Sequence, residues 1–252
     1  MRAVYPSIAS NRALVLFIVV FTSAAFSTSC ATSRYGRTYG GTRPPTGAEN
    51  PGAENSRTLP TYRAGYVKDN KPEIWVSAHS RVLHFNKYYN ETITVEKALE
   101  RAQPYLPTIM RIFREKRLPL ELAFLPMLES VFINTANSGS AKGMWQFTRQ
   151  TAEHMGLNVG AFSDERLNWR KATVAAAEYL DMLGQRFNYD WTLALAAYNG
   201  GPGHVEEAIG RARSRDFFAL DVRKETYDYV PKFLAMVQVA KEKYPHLLLA
   251  GR

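Results

Sequence analysis

The chain has 252 residues, of which 46% are apolar and 22% charged, with a formal net charge of +9 and a single cysteine. That apolar fraction sustains a packed core, which excludes a wholly disordered or fibrous chain. One cysteine excludes internal disulfides, multi-cysteine zinc sites and C-x-x-C redox centres, and the five histidines show no i, i+4 pairing, so neither a metal nor another cofactor is expected.

Residues 1–29 carry Arg2 and Arg12, then an apolar stretch over 13–26, then the small residues Ser27, Thr28 and Ser29. A basic start, an apolar core too short to span a bilayer and a small-residue exit predict an export signal. Cys30 follows directly, and the arrangement resembles the lipobox of bacterial lipoproteins, with Ser29 fitting the residue before the cysteine and Ser27 departing from the usual leucine. The resemblance implies lipidation at Cys30, and Ala31, in place of an aspartate, implies an outer-membrane anchor facing the periplasm. Ordinary signal-peptidase cleavage, leaving a free thiol, is the alternative.

Residues 30–65 read as a flexible tether. Between 31 and 63 lie five Gly, four Pro and eight Ser or Thr, a composition that cannot bury enough apolar surface to offset chain ordering. As a coil it would span roughly 30 to 35 Å. Residues 1–65 also hold +5 of the net charge, leaving +4 for the remainder. With no concentrated basic stripe and no nucleic-acid motif, nucleic acid is not expected as a partner.

The remainder, 66–247, predicts one all-α globular domain, with a catalytic core over about 115–245. Residues 66–93, with Trp75, Tyr88 and Tyr89, are expected to form a helix packed on that domain. Over 94–117, Val95, Ala98, Leu99, Ala102, Leu106, Ile109, Ile112 and Phe113 recur at helical spacing, with a bend or restart at Pro104 and Pro107. Shorter helices are predicted at 120–132, at 148–155 before Gly156, at 191–198 before Gly200, and at 204–213. Longer ones run through Ala172 to Phe187, and from Thr226, as N-cap, to Ala240. No run alternates with period two, although a small hairpin in the loop-rich parts stays open.

One carboxylate stands out. Glu129 ends the apolar run L-A-F-L-P-M-L-E and precedes the polar loop N-T-A-N-S-G-S. Partial desolvation there would raise its pKa into the range of a general acid near neutral pH, although the same context also fits a surface glutamate. Trp145, Gln146, Tyr198 and Asn199 supply the aromatic and amide groups that a sugar groove needs, with Trp145, Tyr179 and Trp191 equally readable as core.

Four blocks follow in order: Glu129-Ser130, S-G-S-A-K-G-M-W-Q at 138–146, A-Y-N-G-G at 197–201 and E-T-x-x-Y-V at 225–230. Together they resemble the soluble lytic transglycosylase domain, a relative of goose-type lysozyme. L-P-L-E-L-A-F-L-P at 118–126, S-D-E-R at 163–166 and Y-V-P-K at 229–232 resemble its membrane-bound lytic transglycosylase D subgroup. The resemblance covers about residues 95–245 and implies a lysozyme-like helical fold. It also implies that Glu129 is the single catalytic acid and base, with Ser138, Gln146, Tyr198, Asn199, Glu225 and Tyr229 contacting substrate. The implied reaction cuts the MurNAc–GlcNAc bond of peptidoglycan glycan strands without water, giving 1,6-anhydro-MurNAc ends. A hydrolytic lysozyme and a catalytically silent glycan-binding lipoprotein are the alternatives, and recruitment by envelope machinery is left open.

Overall fold

The computed structural model of the chain describes residue 74 and residues 78–245. The export signal, Cys30 and the tether lie outside the described residues, as do Trp75 and most of the stretch before residue 78. Among the described residues the order is α1 (Ser80–Glu91), α2 (Thr94–Ala102), α3 (Leu106–Glu115), a 3₁₀ turn (Leu120–Phe124) and α4 (Leu125–Glu129). There follow strands β1 (Ala141–Lys142) and β2 (Phe147–Thr148), then α5 (Arg149–His154), α6 (Trp169–Arg186), α7 (Trp191–Gly200), α8 (Pro202–Ala212) and α9 (Lys224–Lys243). The mainly helical class expected from the sequence is what the chain adopts.

Local chemistry explains most of the boundaries. The 94–117 stretch restarts at its prolines, with α2 ending at Ala102 and Pro107 occupying the first turn of α3, where a missing N–H removes no helical bond. Thr148 caps α5 by accepting from the Thr151 amide at 3.1 Å. Asn168 caps α6, and Asp190 caps α7. The stop after α7 is Gly201, at φ 88°, which frees Pro202 to open α8. One cap expectation fails. The last helix starts at Lys224, and Thr226 lies inside its first turn, where its hydroxyl donates to Asn199 Oδ1 at 2.8 Å.

The core is built around α6, α7 and α9. Leu180, Leu183, Leu193, Leu195, Phe233 and Leu234 are fully buried. Trp145, Tyr179 and Trp191 are buried as well, the core alternative for each. Phe113 stacks on Trp145 with centroids 5.7 Å apart, and the indole N–H donates to Thr173 Oγ1 at 2.9 Å, so α3 and α6 jointly fix the hairpin. In the 3₁₀ turn, buried Glu121 is paired with Lys241 of α9 at 2.6 Å.

β1 and β2 form a two-stranded antiparallel hairpin pairing Ala141 with Thr148 and Lys142 with Phe147. Its turn is locked from outside. Gly143 sits at φ 81°, and a Cβ there would lie 1.9 Å from the Arg166 carbonyl oxygen. Arg166, 5% exposed, is held by Asp164 through two bonds of 2.8 and 2.7 Å and reaches the Phe147 carbonyl at 3.3 Å. Gly143→Ala is therefore expected to destabilise the protein by at least about 1 kcal/mol in urea unfolding. Gly210→Ala in α8, where the added methyl meets nothing within 4 Å, should be neutral or stabilising by up to about 1 kcal/mol in the same measurement.

Candidate active site

The site begins where α4 is forced to stop. Leu125, Pro126 and Met127 are buried, and the chain then folds back so that the amides of Ser130 and Phe132 both donate to the Pro126 carbonyl, at 3.0 and 3.1 Å. Val131 and Phe132 take left-handed conformations, at φ 52° and 57°. That region is disfavoured for any residue with a side chain, most of all for β-branched valine, and each such position costs on the order of 1 kcal/mol or more. The burial of Phe132 and the bond from Ser130 Oγ to the Met144 carbonyl at 2.8 Å hold the turn. Glu129 is thereby left as the last residue of a short buried helix, half-buried and turned against α9.

Tyr229, buried in α9, donates its hydroxyl to Glu129 Oε1 in a short hydrogen bond. With Oε1 engaged as acceptor, the carboxyl proton belongs on Oε2, the oxygen left to face a substrate. Burial is the main force on the carboxyl pKa and pushes it up to about 7. The Tyr229 bond pulls the other way, and the charge of Glu225, one turn earlier on α9, adds to the rise. Near neutral pH the group can therefore both release and accept a proton.

Around this pair stand the other groups. Tyr198 of α7 donates to the Trp145 carbonyl at 2.9 Å, and its ring lies 5.5 Å from that of Tyr179. Burial, and then the nearby Glu129 charge, raise the pKa of the Tyr198 and Tyr229 hydroxyls, which stay neutral donors. Asn199 accepts from Thr226, so α7 and α9 are clamped beside the acid. Gln146 adopts φ 47° and donates through Nε2 to the Gly143 carbonyl at 2.8 Å.

The sequence-derived set is thus brought together unequally. Glu129 and Tyr229 are bonded directly. Glu225 is exposed and acts on Glu129 through charge alone. Ser138 and Gln146 sit on the hairpin, where the Ser138 hydroxyl exchanges 3.3 Å bonds with Ala141. No hydrogen bond among the described residues joins Ser138, Gln146 or Asn199 to Glu129. Sequence reasoning missed the orienting role of Thr226 and the left-handed pair Val131–Phe132. Neither carries a signal, since a threonine inside a helix is unremarkable and left-handed turns ordinarily advertise Gly or Asn. Among the described residues, no group of three acidic, His or Cys side chains is placed to hold a metal ion.

Residues 107–220 match the family described as the transglycosylase SLT domain. Over 161 residues the chain is 37% identical to the membrane-bound lytic murein transglycosylase D of Escherichia coli K12, covering 62% of this chain and 34% of that protein. It is 38% identical over 108 residues to the peptidoglycan transglycosylase gp16 of Escherichia phage T7, covering 42% of this chain and 8% of that one. The chain therefore spans about a third of the length of the first of these relatives. An inactive mutant of the lytic transglycosylase Slt from Pseudomonas aeruginosa superposes with a TM-score of 0.45 at 23% identity, over 55% of this chain and 24% of that one.

The raised acid predicts a specific signature. Because the folded pKa of Glu129 lies above that of an unfolded glutamate, its contribution to stability is present at pH below about 4.5 and is lost as pH rises through about 7. Glu129→Gln should accordingly gain stability relative to wild type between pH 5 and pH 8 in denaturant titrations. Tyr229→Phe should move the Glu129 titration, followed by carboxyl ¹³C NMR, to higher pH.

Proposed function

We propose that this protein, whose residues 107–220 match the transglycosylase SLT domain, is a peptidoglycan lytic transglycosylase that cleaves the MurNAc–GlcNAc β-1,4 bond with Glu129 as its sole acid and base. The observation that carries the reading is the half-buried Glu129 carboxyl, raised to about 7 and bonded on one oxygen by Tyr229.

The steps follow from that arrangement. Protonated Glu129 donates from Oε2 to the glycosidic oxygen as the bond to the MurNAc anomeric carbon breaks. The substrate's own N-acetyl group supports the positive charge that develops there. The carboxylate left on Glu129 is a stronger acceptor for the Tyr229 hydroxyl than the neutral acid was, so the bond tightens as charge appears. Glu129 then removes the proton from the MurNAc C6 hydroxyl, whose oxygen closes on the anomeric carbon to give the 1,6-anhydro ring. One proton leaves Glu129 and one returns, and no water enters. Glycosidases that work with two carboxylates hold them about 5 to 9.5 Å apart on either side of the bond. Exposed Glu225 fits better as a charge that raises the acid's pKa than as a second catalytic group.

Tyr198, Asn199, Gln146 and Ser138 would line the glycan groove and fix the reacting sugar. The export signal over 1–29, lipidated Cys30 and the tether over 30–65 would place the folded unit 66–247, with its core at about 115–245, in the periplasm on an outer-membrane anchor. The relatives' names, a membrane-bound murein transglycosylase and a peptidoglycan transglycosylase, support the substrate and the envelope setting.

Digestion of purified sacculi tests the reading. Wild type should release muropeptides one water lighter than hydrolysis products and resistant to borohydride, and Glu129→Gln should lower the rate by about 10² to 10⁴-fold. Reducible products would identify a hydrolytic lysozyme instead, and unchanged activity in Glu129→Gln would remove the glutamate from its role.

A further inference from the structure

α9 presents a second chemical feature next to the one that reaches Glu129. At 100° per residue, Lys224, Asp228 and Lys232 form one stripe along the helix. Lys232 then lies about 20° from Glu225 and about 60° from Tyr229 around the axis, and about 4.5 Å beyond Tyr229 along it. This stripe forms one wall of an open cavity of about 510 Å³ whose other wall is α1, contributing Arg81, His84 and Phe85.

The cavity is unbalanced in charge. Three permanent cations, Arg81, Lys224 and Lys232, face one acid, Asp228, and Asp228 is already bonded to both Arg81 and Lys224, the latter at 2.7 Å. Lys232 has no hydrogen-bonded or ion-paired partner among the described residues. Its ammonium lies 5.5 Å from the centroid of the Phe85 ring, which His84 meets edge-on at 5.3 Å. The Arg81 guanidinium lies over the Tyr227 ring, and its Nε is buried without a hydrogen-bond partner. Burial and then the Lys224 charge hold the Lys232 pKa below the ordinary lysine value, with Glu225 opposing and Arg81 adding to the depression. An anion in the cavity would relieve this mutual repulsion and satisfy the open donors.

We propose that the cavity between α1 and α9 binds a carboxylate of the peptide stem carried by the glycan strand under cleavage, so that the enzyme prefers stem-bearing to stem-free glycan. The proposal rests on the lytic reading of Glu129. Peptide stems carry free carboxylates, and a stem of four or five residues leaving a muramic sugar beside Glu129 reaches up to about 13 to 18 Å. Along α9, Lys232 lies within about one helical turn of Tyr229, an axial step shorter than that reach. The shared helix α9, which carries both Tyr229 and Lys232, favours the stem over a lipid phosphate, and the Phe85 ring suits the stem's aliphatic side chains.

The test uses the full chain with Lys232→Met, which keeps an unbranched side chain over Phe85, and Lys232→Arg, which restores the charge. KM and kcat are measured on stem-bearing glycan chains and on chains stripped by an amidase. Wild type should show the lower KM on stem-bearing chains. Lys232→Met should raise that KM about fivefold with little change in kcat and bring the ratio of the two KM values toward one, and Lys232→Arg should restore it. An equal rise on stripped chains, or a wild type indifferent to stems, overturns the proposal.

Calorimetry separates its failure from that of the lytic reading. The inactive Glu129→Gln protein should bind a stem-bearing disaccharide more tightly than the bare one, whether or not wild type proves lytic, and Lys232→Met should erase that difference. Equal binding of the two disaccharides, together with binding to phosphatidylglycerol vesicles that Lys232→Met abolishes, would assign the cavity to lipid phosphate and overturn the stem.

Discussion

The arrangement of this protein depends on one carboxyl group held away from water at the end of a helix that cannot continue. Burial raises Glu129 toward neutral pH at the end of a helix whose Leu125, Pro126 and Met127 are themselves buried, just before the chain reverses through two left-handed residues. Water would lower that pKa, and a longer helix would carry the carboxylate elsewhere. The Tyr229 hydroxyl settles the remaining freedom by engaging Oε1. A carboxyl so poised is wasteful for stability, since folding must hold it protonated where water would ionise it.

The rest of the described fold can be understood as the support for that state. Ser130 ties the strained turn to the hairpin, and Trp145 ties the hairpin to α3 by stacking and to α6 by its bond to Thr173. Tyr198 fastens α7 to the same hairpin through the Trp145 carbonyl, while Thr226 and Asn199 fasten α7 to α9. The hairpin, α7 and α9, distant in sequence, are thus connected to one another, and α9 among them carries the tyrosine bonded to Glu129. The fully buried leucines, alanines and phenylalanines of α6, α7 and α9 provide the apolar burial that offsets a few strained dihedrals and one half-buried acid.

How much of this the sequence disclosed depends on the kind of signal each feature sends. Helical periodicity marked α2, α3, α6 and α9 because burial on one face repeats every 3.6 residues, and the stop of α5 near Gly156 follows from local chemistry. Glu129 and Tyr229 were visible as members of ordered blocks, yet nothing in their spacing of 100 residues announces a hydrogen bond. Thr226 looked like a helix cap because threonine at a boundary usually is one, and the Asn199 side chain across the helix contact offered it a different partner. Val131 in a left-handed turn runs against propensity altogether. Such a residue is legible only once the tertiary contacts that over-determine it are in place.

The position of α9 bears on what the functional unit is. The SLT match ends at residue 220, whereas the tyrosine that orients the acid is residue 229, and the helix carrying it rests along its length on α1, which precedes the match. The matched segment therefore contains the acid without the group that directs its proton. α1 and α9 are linked by Arg81 and Asp228, and Lys241 of α9 reaches back to Glu121 in the turn before α4. These ion pairs join the flanking helices to each other and to the turn that leads into the acid's helix. A displacement of α1 would act on α9, and through Tyr229 on Oε1 of Glu129. The flanking helices therefore belong to the structure that holds the Glu129 carboxyl, because the tyrosine bonded to its Oε1 stands on one of them and the other packs against that helix.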